Sequence, residues 1–189
     1  SVKTTSQQQH YINHATYSPD GEIIGFFHLW SFPSDVNRQL QFMVIKKSTK
    51  EIKILETERI VSHYCWRNEK EILATTRTKE GVWFYTLYNI NQSSRHDLNI
   101  PLNVDGHPMF NPANRDLIIT DTYPDKRNDQ HLCIADLSGE AQEVGAFYSP
   151  FKYKGQVRCD LHPRWDRQGK FVVVDTTKNK IRKMAILNI

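Results

Sequence analysis

Several features are scarce in this 189-residue sequence, and each absence argues against a class of protein. The longest apolar runs, such as residues 23–27 and 171–174, are far shorter than the roughly 18 residues that a membrane-spanning helix needs. We therefore expect no membrane partner. The three cysteines, Cys65, Cys133 and Cys159, cannot all pair with one another, and none forms the C-x-x-C arrangement of zinc or redox sites. A disulfide scaffold is not expected.

A strong excess of charge of one sign is also missing. The net charge is +4 with a pI near 8.9, and the basic residues are scattered along the chain, so we expect no nucleic-acid partner. The opening residues show no secretory signal peptide. A processed chain would have lost such a segment, so the compartment stays open, with a cytoplasmic location favoured over a periplasmic one.

Helical periodicity is nearly absent, whereas a repeated pattern typical of strands runs through the whole chain. Four segments each begin with a histidine, place an aromatic residue three positions later, pass through a polar turn and enter an apolar run. The intervals between the histidines are 49, 44 and 55 residues, which suits one supersecondary unit per repeat. These segments begin at His14, His63, His107 and His162.

Each repeat reads as up to four short antiparallel strands, which predicts an all-β fold, a β-propeller of four-stranded blades. The aromatic residues three positions after the histidines lie on the opposite side of their strands and are expected to pack between blades. The expected blades cover about 10–55, 56–100, 101–150 and 155–189 within one propeller region, 1–189. The second strands are predicted at 22–29, 71–76, 116–121 and 170–175, and the third strands at 40–45, 82–88, 131–136 and 182–187. A β-sandwich is the competing all-β fold, but it does not explain a histidine at the same place in every repeat.

The fourth repeat ends after three strands, so its outer strand must come from elsewhere. Residues 1–6 could supply it by ring closure, or could belong to a preceding blade. Blades of this length usually number six to eight in a ring. Since an open ring exposes strand edges and apolar blade faces, we expect either a homo-oligomer or further blades that complete the ring.

The repeated histidines predict a shared pocket, because the starts of the innermost strands converge on the propeller axis. Alternation along a strand would place Arg158, Asp160 and His162 on one side, facing that pocket. Imidazole and carboxylate together suit a divalent metal such as Mn, Fe, Ni or Zn, and Asp121 could orient the ligands by hydrogen bonding. In the alternative interpretation, each histidine caps a turn or bonds to a neighbouring blade.

The repeats resemble the oligogalacturonate lyase family and the related TolB-like propellers, whose first strands carry H-P-x-[FW]-x-P-x-[DG] units. The resemblance extends over essentially the whole chain, which is similar to the last four blades of a seven-bladed ring, and the segments ITDTYPD and RCDLHPRW resemble an uncharacterised branch of this superfamily. It implies a divalent metal, usually manganese, and an acidic oligosaccharide as substrate. The base falls on His63, and metal ligands fall on His107 and His162.

The chain departs from the family motif Q-x-x-H-x-H-P, which here is V-R-C-D-L-H-P. Asp160 stands at a histidine position and Val157 at the glutamine position. The expected metal set is therefore His107, Asp160 and His162, with His14 and Asp121 as further pocket residues.

β-Elimination needs a base near the C5 proton, a cation that stabilises the intermediate and a leaving group on C4. His63 could be the base and Arg158 a clamp for the substrate carboxylate. The negative charge of Asp160 could instead favour a neutral sugar or a hydrolytic reaction. A second hypothesis is a non-catalytic propeller that binds a glycan or a protein at the channel mouth.

Overall fold

The structure, a computed structural model, describes residues 8–31 and 39–189 as antiparallel strands joined by short loops. Four sheets follow one another along the chain, and every pair of neighbouring strands is antiparallel. The first two sheets contain β1 (Gln9–Tyr17), β2 (Ile23–Ser31), β3 (Gln39–Lys46), β4 (Ile52–Glu56), and then β5 (Ile60–Trp66), β6 (Glu71–Arg77), β7 (Trp83–Asn89) and β8 (Ser94–Leu98). The other two contain β9 (Met109–Phe110), β10 (Leu117–Asp121), β11 (Asp129–Asp136), β12 (Ala141–Tyr148), and then β13 (Arg164–Trp165), β14 (Phe171–Thr176) and β15 (Lys183–Asn188).

The expected all-β propeller architecture is confirmed. The predicted second and third strands lie within two residues of the observed bounds. In the described part of the chain, the helical segments are two 3-10 turns, Gly155–Val157 and Lys178–Lys180. No helix among those residues has the length and hydrophobicity needed to cross a membrane.

In the first and fourth sheets, the hairpin between the first two strands contains a glycine and an aspartate whose carboxylate accepts backbone N–H groups. In the fourth sheet, Asp166 Oδ1 accepts the backbone N–H groups of Lys170 at 2.6 Å and Phe171 at 2.9 Å. Gly169 has a φ of 70°, a conformation that glycine adopts at little cost. A Cβ at Gly169 would also lie 2.2 Å from Asn111 Oδ1. Gly21 has nearly the same φ, 73°, in the first sheet, but faces open space.

The core consists of three apolar clusters, each between two consecutive sheets. Phe27 and Phe42 of the first sheet pack with Ile72 and Tyr88 of the second. The second cluster joins the second and third sheets, and the third cluster joins the third and fourth. The apolar faces of adjacent blades therefore hold the propeller together.

The aromatic residues three positions after the repeated histidines were expected to pack between blades. Phe110 and Trp165 are buried in the second and third clusters, and Trp66 packs against the first cluster. For Tyr17 the expectation is wrong, because this side chain is 61% exposed. Tyr17 lies on the first sheet, and the described residues place no other sheet before it.

Two partly buried ion pairs involve the outer strands of the first two sheets: one joins β8 to the loop before β5, and the other joins β4 to β8. The guanidinium of Arg59 donates to both carboxylate oxygens of Asp97, at 2.7 and 2.9 Å. The side chain of Glu56 is 1% exposed and accepts hydrogen bonds from Arg95, from Tyr88 Oη at 2.9 Å and from three backbone N–H groups that follow it. Burial raises the pKa of Glu56, but these donors outweigh it, so that the pKa lies below its usual value.

The fourth sheet has three strands among the residues that the structure describes. Its outermost strand, β15, leaves Met184 and Ile186 each 71% exposed. Residues 1–6, which could supply a fourth strand by ring closure, lie outside the described residues. The larger ring and the homo-oligomer stay predictions.

Candidate metal centre

Four histidines from four repeats lie in a row at one rim of the propeller, and we call this row the histidine arc. The ring centroids are 5.6 Å apart for His14 and His63, 4.0 Å for His63 and His107, and 4.1 Å for His107 and His162. The histidines that align in the sequence are therefore neighbours in space. This follows from the convergence of the first strands on the axis, since contacts join β5 to β9 and β9 to β13.

The backbone that carries the arc is less regular than the sequence predicts. His63 lies in β5, but His107 and His162 each precede their short strand by two residues. His14 and His162 have positive φ values, 52° and 42°, which are uncommon for residues with a side chain. Because residues 158–163 form no strand, the alternation expected for Arg158, Asp160 and His162 is wrong as a description of the backbone.

The side chains of the expected metal set nevertheless meet. One ligand atom from each of His107, Asp160 and His162 lies within 4.8 Å of the other two. In the parts of the chain that the structure describes, this is the single group of three or more such side chains found so close together. We call it the donor cluster. Two imidazoles and one carboxylate form a donor set suited to Mn, Fe, Ni or Zn.

Asp121 holds both histidines of the donor cluster in place. Its carboxylate is fully buried, and Oδ1 accepts the backbone N–H of His107 and lies 2.8 Å from His107 Nδ1. Oδ2 accepts the backbone N–H of His162 at 3.0 Å. A proton on Nδ1 of His107 leaves the Nε2 lone pair free for a ligand, the usual arrangement of a metal-binding histidine.

Arg158 lies on the carboxylate of the donor cluster. Its Nε donates to both oxygens of Asp160, at 2.7 and 2.9 Å, and its guanidinium stacks on the ring of Tyr123 at 4.3 Å. The hydrogen bond with Asp160 raises the pKa of Arg158 above its usual value. Arg158 thus compensates the negative charge that Asp160 brings into the site.

His63 lies next to the donor cluster and is held neutral. Burial, followed by the charges of His107, His14, His162 and Arg158, lowers the pKa of His63 to about 2. Its Nε2 lies 3.0 Å from Tyr123 Oη. A neutral imidazole has a lone pair for a proton, but one of such low pKa accepts it weakly unless a bound anion raises that pKa.

The other arc histidines also favour the uncharged form. Burial and then the charge of His107 lower the pKa of His14, and the same two causes lower the pKa of His162. Ligation of a cation needs neutral imidazoles, so this electrostatic environment suits a metal more than it suits protonated histidines.

Sequence reasoning missed two residues of the site, Tyr123 and Asp105. Asp105 accepts hydrogen bonds from Ser62 Oγ at 2.7 Å, Thr75 Oγ1 at 2.9 Å and the backbone N–H of Gly106 at 2.9 Å. Burial raises the pKa of Asp105. The repetition of D-x-H-P at 105–108 and 160–163 is a signal that could have found Asp105. Tyr123 follows Asp121 by two residues, but no pattern in the sequence places its ring between His63 and Arg158.

An open pocket of about 510 Å³ adjoins the donor cluster on the side of the fourth sheet. Its walls include Asp160, His162, Asp175, Arg182 and Lys183. A ligand in this pocket would contact both the donor cluster and the basic residues of the β14–β15 connection.

Comparison with known proteins identifies the fold. No family model and no curated protein sequence matches the chain. Among solved structures, an oligogalacturonate lyase in complex with manganese matches with a TM-score of 0.74 and 17% identity, covering 95% of this chain and 48% of that one. TolB from Acinetobacter baumannii matches with a TM-score of 0.67 and 14% identity, covering 95% of this chain and 41% of that one.

The β-propeller domain of the trilobed protease from Pyrococcus furiosus matches with a TM-score of 0.59 and 14% identity, covering 94% of this chain and 55% of that domain. The chain thus spans about half the length of these structures or less. At such identities the similarity shows the fold alone, and the expected likeness to lyase and TolB-like propellers is confirmed at that level.

Proposed function

We propose that this chain provides the metal site of a carbohydrate-active enzyme, a lyase that performs β-elimination on an acidic oligosaccharide. One observation carries the proposal: the donor cluster of His107, Asp160 and His162 lies beside a neutral histidine, His63. The fold of a manganese-bound oligogalacturonate lyase is consistent with it.

The residues present fit a divalent cation. His107 offers Nε2 because its Nδ1 faces Asp121, and His162 and Asp160 add a second imidazole and a carboxylate. Manganese is the metal that the resemblance implies. When bound, such a cation supplies a positive charge that stabilises negative charge developing on a uronate carboxylate.

The residues of the chain would carry out the remaining steps. His63 accepts the proton from C5 of the uronate ring, and the electron pair of that C–H bond forms the C4–C5 double bond. The bond between C4 and the glycosidic oxygen breaks, and the leaving oxygen takes up a proton from water. Arg158, whose guanidinium faces the same pocket, binds the uronate carboxylate.

Metal content tests the first half of the proposal. The purified chain, the double variant His107→Ala, His162→Ala and a control double variant, His96→Ala, His131→Ala, are loaded with manganese, nickel, iron or zinc and analysed for bound metal. The control histidines lie in β8 and β11 and belong neither to the arc nor to the donor cluster. We expect about one metal per chain in the wild type and the control, and loss in the site variant. No metal in any of the three refutes the metal site.

Product formation tests the second half. The metal-loaded chain is incubated with a broad panel of acidic oligosaccharides, and unsaturated uronate is followed by its near-ultraviolet absorbance. We expect one substrate to give product, and His63→Ala to abolish it while metal content is unchanged. Absence of product across the panel refutes β-elimination.

A non-catalytic propeller that binds a glycan or protein is the second candidate. Two observations favour it: both carboxylate oxygens of Asp160 accept from Arg158, and the apolar Val157 stands exposed where the lyase motif has glutamine. Binding that survives His63→Ala, with no product from any substrate, supports this candidate. Product that depends on His63 rules it out.

A further inference from the structure

Two loops of the fourth blade bring seven cationic side chains together next to the donor cluster. The segments 151–158 and 178–183 contain no Asp or Glu, and every cation in them is exposed. We call these two segments the basic ledge. Its cations are Lys152, Lys154, Arg158, Lys178, Lys180, Arg182 and Lys183.

The two segments of the ledge are bonded to each other. Lys152 Nζ donates to the backbone oxygen of Lys180 at 2.8 Å, and Tyr153 Oη donates to the same oxygen at 2.9 Å. In return, the guanidinium of Arg182 donates to the backbone oxygens of Val157 and Arg158, both at 2.6 Å. The cations are therefore held on one surface although 19 residues of sequence separate the segments.

The ledge shares the rim of the histidine arc. In an antiparallel sheet, the start of the first strand and the end of the second lie at the same edge, so the β14–β15 connection lies on the side of His162. The pocket of about 510 Å³ joins the two features, because Arg182 and Lys183 line it together with Asp160 and His162. The ring of Phe151 lies on the ledge and is 63% exposed. Lys154 Nζ lies 4.2 Å from the centroid of this ring.

The net positive charge of the chain comes from the ledge. Seven cations on the ledge exceed the net charge of +4, so the remainder of the chain is net negative. A nucleic-acid surface spreads cations along the path of a long polymer. A patch limited to two loops of one blade, beside a pocket, instead favours a short anionic chain.

We propose that the basic ledge binds the additional uronate units of an anionic oligosaccharide whose reacting unit occupies the pocket at the donor cluster. The proposal rests on the function proposed above and extends it, because it assigns the binding of the units beyond the reacting one to the cations of the ledge. The exposed cations pair with carboxylates, and the Phe151 ring packs against the apolar face of a sugar.

Binding measurements with α-1,4-linked galacturonate oligomers of one, three and six units test the ledge. The test variant is Lys154→Gln, Lys178→Gln, Lys180→Gln, which removes three ledge cations that do not line the pocket. The matched control, Lys50→Gln, Lys70→Gln, Lys170→Gln, removes the same charge from exposed sites at hairpins on the opposite rim. Maltohexaose and a six-residue single-stranded DNA serve as neutral and nucleic-acid comparisons.

The wild-type chain is expected to bind the hexamer at least tenfold more tightly than the monomer and not to bind maltohexaose. The ledge variant should bind the hexamer about tenfold more weakly, since each exposed ion pair contributes a few-fold, with the monomer unchanged. The control variant should stay within about twofold of the wild type. Equal binding of hexamer and monomer, or equal loss in the two variants, overturns the proposal. DNA binding tighter than the hexamer's also overturns it and assigns the ledge to nucleic acid.

The outcomes separate the ledge from the reaction. If the ledge substitutions weaken hexamer binding both in the wild type and in His63→Ala, but no product forms from any oligomer, the ledge proposal is supported and the lyase activity is refuted. If product forms and depends on His63, while the affinity for galacturonate oligomers is independent of their length, the lyase activity is supported and the ledge proposal is refuted.

Discussion

Replacement of Asp121 by asparagine should weaken metal binding although the residue is not itself a ligand. The carboxylate accepts two N–H groups of His107 on Oδ1 and the backbone N–H of His162 on Oδ2. An amide of the same shape has one acceptor oxygen and one NH2 group, so in either orientation at least one of the three N–H groups loses its acceptor. Each buried N–H left without an acceptor costs about 1–3 kcal/mol of unfolding free energy. Loss of a partner that orients a ligand typically costs about 10–100-fold in metal affinity.

Asp105→Asn provides the matched control. Asp105 is a largely buried carboxylate that also accepts three hydrogen bonds, but none of them comes from a histidine. Denaturant unfolding should show a comparable loss of stability in both variants. Calorimetric titration with manganese should show the 10–100-fold loss of affinity only in Asp121→Asn. Metal affinity of Asp121→Asn within twofold of the wild type, or an equal loss in Asp105→Asn, would refute the orienting role.

Three further predictions concern stability, each measured by denaturant unfolding. Glu56→Gln should cost about 2 kcal/mol at pH 7, because its buried carboxylate holds a partly exposed arginine. Because the pKa of Glu56 in the folded state lies below its usual value, the ionised side chain stabilises the fold fully above the unfolded-state pKa of about 4.3, and this stabilisation is lost as the pH falls through the lower folded-state pKa. A stability difference between wild type and Glu56→Gln that persists unchanged to pH 3 contradicts this prediction. A double-mutant cycle of Arg59→Met and Asp97→Asn should give a coupling of about 1–2 kcal/mol, more than the 0.2–1 kcal/mol of exposed pairs, since the contact is bidentate and mostly buried. Gly169→Ala should lower the free energy of unfolding clearly more than Gly21→Ala, which loses only the roughly 1–2 kcal/mol of a left-handed backbone conformation. Equal losses in the two variants would show that the Asn111 side chain moves aside without cost.

The repeat pattern was sufficient to predict the arc of histidines. Four histidines at the same position of four strand units become neighbours once the units form consecutive blades, and this requires no knowledge of any side-chain contact. The same argument failed for the backbone around His162, because alternation applies only inside a strand and residues 158–163 are not in one.

Contacts between distant segments could not be predicted from the sequence. The position of Tyr123 between His63 and Arg158 depends on the path of the β10–β11 connection over the rim. The ledge is a similar case, since the basic residues look scattered in the sequence and come together only when the two loops of the fourth blade bond to each other. In both cases the local sequence specifies the loop, and packing of the blades specifies its neighbour.

The bridging position of Asp121 would couple binding of the proposed cation to docking of the third blade against the fourth. Its carboxylate belongs to the third sheet and accepts from the backbone N–H of His162, which leads into the fourth. A cation shared by His107 on one side and by Asp160 and His162 on the other would bind only to the docked arrangement. At a cation concentration 100 times its dissociation constant, such linkage adds about 2.7 kcal/mol to the docked state. By reciprocity, any substitution that loosens Trp165 from the third apolar cluster weakens cation binding without touching a ligand.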